Sequence, residues 1–169
     1  MLSLNFISEE EFSPAAKEYE LIWQQAGTKI VNKFKELSGL DFVEKSVDVI
    51  VFEGISNSGM VNTSPIRLRA SNDHNHKIAA LTHELGHRLL FGNKIKKEGL
   101  GIHQLLDLIL YDLWVDIYGK NFADGQVERE SNRVNPVAPY KECWQWTLSL
   151  TREERHKKIR EITRQSIGP

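Results

Sequence analysis

The chain has 169 residues, 40% of them hydrophobic, and its 22 basic and 23 acidic residues leave a net charge of -1. That balance excludes a disordered polyelectrolyte and argues against a general nucleic-acid binder, while the length suits one domain, residues 1–169. A lone cysteine, Cys143, excludes an internal disulfide and a thiolate metal cluster.

Early acidic residues, Glu9, Glu10, Glu11, Glu18 and Glu20, do not suit a secretory signal, and no apolar run is long enough for a bilayer, so a cytoplasmic place is expected. Ser13-Pro14 then opens a long helix, whose apolar positions Tyr19, Ile22, Trp23, Ala26, Ile30, Phe34 and Leu37 recur at helical spacing up to Gly39. Gly27 is a candidate bend. Val47 to Phe52 is β-branched and apolar, a buried strand, and residues 54–64 are rich in Gly, Ser and Asn, a loop. Ile66 to Ala70 alternates apolar with charged side chains, the pattern of an edge strand. Ser71, Asn72 and Asp73 are candidate caps for a helix with the stripe Ile78, Leu81, Leu85 and Leu89 that ends near Gly92. A basic loop with Lys94, Lys96 and Lys97 precedes a second helix, Ile102 to Tyr118, closed by Gly119. The remainder, 120–169, is expected to be helical, broken at Asn135-Pro136 and Pro139 and restarted by the Thr151-Arg152-Glu153-Glu154 capping box.

Inside the first of these helices stands His83-Glu84-Leu85-Gly86-His87. Four residues of separation put both imidazoles on one face, one turn apart, where two nitrogens converge on one ion. Glu84 lies about 100° round the helix, so it borders such an ion without having to ligate it. This is the equipment of metal-assisted hydrolysis: two ligands in His83 and His87, and a carboxylate base in Glu84 that takes a proton from a metal-bound water.

A strand, an edge strand, an HExxH helix and a following helix with acidic residues resemble the zincin metallopeptidases over Val47 to Gly119, most closely their gluzincin branch. The resemblance implies an α+β zincin-like fold with a small mixed sheet, one zinc ion per chain, peptide-bond hydrolysis, and a peptide or protein substrate bound antiparallel to Ile66–Ala70 by strand addition. The family's glutamate ligand, in an ExxxD pattern, has no identical counterpart. On a helical wheel from Ile102, Asp112 and Asp116 fall at about 280° and 320°, beside and within the apolar face, where a carboxylate needs a partner or a metal. Asp112-Leu-Trp-Val-Asp116 resembles ExxxD with aspartate replacing glutamate, which makes Asp112 the expected third ligand and Asp116 the acceptor behind a ligand histidine. Asp107, on the opposite side of the wheel with His103, Trp114 and Tyr118, competes with it, as do Glu128 and Glu130. His103, Tyr111 and Tyr118 suit an oxyanion donor chemically, but no spacing selects one.

The basic C-terminal run from Arg152 to Arg164 is interleaved with acidic residues and carries Ile159 and Ile162, so it reads as a solvated amphipathic helix with no nucleic-acid partner. Trp144 and Trp146, near Tyr140, are expected to dock it, with Cys143 a small buried hydrophobe beside them. Two other classes stay open. One is a degenerate zincin-fold protein that serves as a binding or regulatory module; the other is a metal-free helical adaptor in which the HExxH has no role.

Overall fold

Ser3 to Ser8 carries too few residues for periodicity to speak, yet it is a strand. In the computed structural model, which describes residues 2–96, 99–134 and 138–167, it is the first element, β1 (Ser3–Ser8). A short 3-10 turn (Glu10–Phe12), α1 (Ser13–Ser38), β2 (Ser46–Phe52), β3 (Ile66–Arg69) and α2 (His74–Gly92) follow. Then come α3 (Ile102–Tyr118), α4 (Lys120–Ser131), α5 (Tyr140–Ser149) and α6 (Arg152–Ile167), an α+β protein. No described helix is long and apolar enough to cross a membrane. The expected break at Asn135-Pro136, and Lys97 of the basic loop, lie outside the described residues. The chain divides into two compact units, one of residues 1–32 and 41–93, the other of 33–40 and 94–169, so the stretch 47–119 expected to form one core belongs partly to each.

In the first unit the strands run β1-β2-β3, and both pairings are parallel, with Ser3 opposite Ser46 and Val49 opposite Ile66. The mixed sheet expected from the sequence is therefore replaced by a parallel one. Its only antiparallel element among the described residues is a single bridge between Asn57 and Arg67. Parallel neighbours need a crossover of about a dozen residues or more, which α1 supplies between β1 and β2 and the loop 53–65 supplies between β2 and β3. Tyr19, Ile22, Ala26 and Ile30 of α1 are buried along with Val47, Val49 and Val51 of β2 and Ile66 and Leu68 of β3. Gly27 does not break α1. It makes room for the Trp23 ring, since a Cβ there would lie 2.7 Å from Trp23 Cδ2.

Asp73 is the cap of α2, its side chain accepting the His76 N–H at 2.9 Å. From Lys77 to Leu90 every residue of this helix is buried, the behaviour of a core helix and not of a surface one. At its end Asn93 donates from Nδ2 to the carbonyls of Leu89 and Asp41, both at 2.9 Å.

In the second unit α3 packs against α4, α5 and α6. Coverage from several sides buries Asp107 and Trp114, at 0% exposure, although the wheel sets them opposite the apolar face. Trp144 lies 5.7 Å from Trp114 between ring centroids and donates its indole N–H to Glu130 at 2.8 Å. Trp146 stays half-buried with Lys158 over its ring. Cys143 is buried beside them, its thiol pushed up to about 11 by burial, with the charges of Asp107 and Glu142 adding to it. The capping box that starts α6 forms as expected, with Thr151 N–H to Glu154 at 2.7 Å and Glu154 N–H to Thr151 Oγ1 at 3.2 Å. Ile159 and Ile162 bury one face of α6, and Thr163 donates to the carbonyl of Ser38 at 3.0 Å.

Candidate metal centre

His83, Glu84 and His87 are 6%, 8% and 8% exposed, so α2 carries three ionisable side chains into its buried stretch. Beside them Thr82 donates its hydroxyl to the carbonyls of Ile78 and Ala79, so this polar group is satisfied within the helix. His83 Nε2 and His87 Nε2 stand 3.1 Å apart. Two imidazoles on one tetrahedral zinc, each at about 2.0–2.1 Å, hold their nitrogens about 3.3 Å apart, so the pair already has the separation that a shared ion requires. The rings meet edge to face, with centroids 4.8 Å apart, and Phe91 stacks on His87 with its centroid 5.5 Å away and its plane turned by 12°. Glu84 also acts on its surroundings: Tyr19 has its phenol pushed up mainly by burial, with the charges of Glu18 and Glu84 contributing.

His103 opens α3 and is half-buried, with its ring edge-on to Tyr140 at 4.8 Å.

The carboxylates are engaged in other ways. Asp112, expected as a ligand, is buried with Arg155 gripping both its oxygens, Nε to Oδ2 at 2.9 Å and Nη2 to Oδ1 at 2.7 Å, while His156 stands 3.3 Å from Oδ2. Asp116, expected behind a ligand histidine, is gripped by Arg152 at 2.8 and 2.7 Å and approached by Lys33 at 3.0 Å. The Arg152 hydrogen bonds, with Lys33, hold its carboxyl down to about 2. Asp107 is enclosed, with no hydrogen bond to either oxygen among the described residues, and burial, reinforced by the charge of Glu130, pushes its carboxyl well above the usual range. Glu130 accepts from Trp144, and Glu128 is exposed. Of the tyrosines, Tyr111 donates to Asp124 at 2.9 Å, and the buried Tyr118 phenol is pushed up to about 12 by desolvation.

The edge of β3 is the second departure from expectation. Arg67 exchanges both main-chain hydrogen bonds with Asn57, at 2.8 and 3.0 Å. The Arg69 N–H goes to Ser56 Oγ at 3.0 Å, and the Arg69 carbonyl accepts from Tyr19 at 3.0 Å. Groups that strand addition would use at these two residues are thus satisfied by the chain itself. The loop that does this is anchored to α2. Arg88, next to His87, donates to the carbonyls of Ser58 and Ser64 at 3.2 and 3.0 Å and to Glu44 at 2.8 Å, and Glu44 accepts the Asn62 N–H at 2.8 Å.

Comparison with known proteins finds no family model, no curated protein and no solved structure that matches the chain.

Proposed function

We propose that the protein is a zinc-dependent metallopeptidase of zincin type, with His83 and His87 as ligands and Glu84 as general base. The observation that carries the reading is the 3.1 Å approach of the two Nε2 atoms on a helix where Glu84 follows the first of them. Asp112, first expected as the third ligand, has both oxygens engaged by Arg155. Neutral imidazole ligands suit zinc and would leave the ion its full charge; when bound, it would supply a water acidic enough to act near neutral pH. Glu84 takes the proton of that water and returns it to the leaving amine, which needs a carboxylate beside the ligands but not among them. Asp116 and Asp112 serve the second unit as ion-pair partners of α6.

Elemental analysis of the purified chain tests this directly. About one zinc per chain is expected for the wild type and for Asp112→Ala, and a loss of zinc for His83→Ala and for His87→Ala. Zinc lost in Asp112→Ala with the fold intact returns the aspartate to the ligand set. Absence of zinc after reconstitution refutes the metal reading. A binding module on the same fold is the second reading, favoured by the self-paired edge of β3; zinc-loaded wild type without turnover on a peptide library would select it.

A further inference from the structure

Recognition of a peptide by an edge strand draws its affinity from open main-chain groups. At Arg67 and Arg69 those groups are already paired within the chain, so side-chain contact has to carry more of the recognition. Along α2 the burial runs without interruption to Leu90 and then stops at Phe91, 44% exposed. Its ring lies nearly parallel to that of His87, with centroids 5.5 Å apart. Exposed apolar surface continues at this end of the helix: Val43 is 52% exposed and lies against Gly92, where a Cβ would meet Val43 Cγ2 at 2.7 Å. A scattered surface hydrophobe needs no explanation, but an aromatic ring that is 44% exposed and stacks on a proposed metal ligand borders the centre where hydrolysis would take place.

We infer that Phe91 forms an apolar wall beside His87 that accepts an aliphatic or aromatic side chain of the substrate next to the scissile bond. This rests on the metallopeptidase reading above and names its substrate class: peptides with an apolar residue at the cleavage position, in preference to charged ones. Phe91 acts on specificity, as neither ligand nor base.

The test uses the full-length zinc-loaded protein and two small hydroxamic acids that share one zinc-binding headgroup, acetohydroxamic acid and 3-phenylpropionohydroxamic acid. Because the headgroup is constant, the ratio of their dissociation constants reads the wall alone and needs no turnover. Wild type is expected to bind the phenyl compound about ten-fold tighter or more, as an apolar group gaining a packed site does. The ratio is expected to fall to about two in Phe91→Ser and to persist in Phe91→Leu, which keeps an apolar surface without the ring. Phe91 is largely at the surface, so both variants retain the fold, checked by circular dichroism. An undiminished ratio in Phe91→Ser overturns the wall while leaving the metal site standing. Binding of neither compound to zinc-loaded wild type overturns the metal reading and the wall together.

Discussion

His83 and His87 on α2 and Asp112 and Asp116 on α3 are the same motif geometrically, two polar side chains one turn apart on a buried helix, and the molecule uses them in opposite ways. The histidines point nitrogens at each other across 3.1 Å, whereas each aspartate is gripped by its own arginine from α6. Spacing brings donors together; what decides their use is the neighbour that reaches them. A neutral imidazole tolerates a like neighbour, while a bare carboxylate in a core, as Asp112 would be, demands a counter-charge at once.

That contrast can be broken from either side. Glu84→Gln should leave zinc content unchanged and cut peptide turnover by about 10²–10⁴-fold, measured with quenched-fluorescent peptides, because it removes the base and spares the ligands. Arg155→Ala should cost about 3–5 kcal/mol in a urea titration, since it strands a buried carboxylate; the side chains of the pair are 7% and 3% exposed. The double replacement Asp112→Leu with Arg155→Met should recover most of that loss, and failure to recover would mean that the pair does more than neutralise itself. Zinc at a hundred times its dissociation constant should raise stability by about 2.7 kcal/mol in wild type and in Asp112→Asn, and by nothing in His87→Ala, read as a shift in melting temperature.

Acidity separates the two aspartate types further. Asp116 has a folded value, about 2, below the unfolded carboxylate value, so its contribution is complete above roughly pH 4–5 and disappears as pH falls toward 2. Arg152→Ala should flatten that acid limb and cost at most about 1 kcal/mol at neutral pH, the pair being open to solvent. Asp107 runs the other way. Its folded value is raised, so the fold loses stability as pH climbs above the unfolded value, and Asp107→Asn should raise the melting temperature more at pH 8 than at pH 5. Equal gains at both values would show that the carboxyl is ionised in the fold.

Much of this was legible in the residues. Helical period alone put His83, Glu84 and His87 together, and the Thr151 capping box and the spans of β2, α2 and α3 followed from punctuation and pattern. Other features depend on what meets what across long stretches of chain. β1 is stabilised by pairing with β2, more than forty positions away, as in the Asn5 Nδ2 to Asp48 bond at 3.1 Å with a separation of 43 residues. The wheel for α3 assumes one buried face, but Leu105, Leu106, Leu108, Ile109 and Leu110 are all buried, and a helix wrapped on several sides has no outside on which to leave Asp107. Arg155 could not be assigned to Asp112 from spacing because their separation, 43 residues, carries no periodic signal.

Cys143 gives the second unit a built-in clock. With Cys143 3% exposed and its thiolate suppressed at neutral pH, a thiol reagent reacts only when the surrounding helices part. Labelling rates across denaturant concentrations would therefore time the opening of the α3 to α6 bundle by itself, with no reporter dye and no change to the sequence.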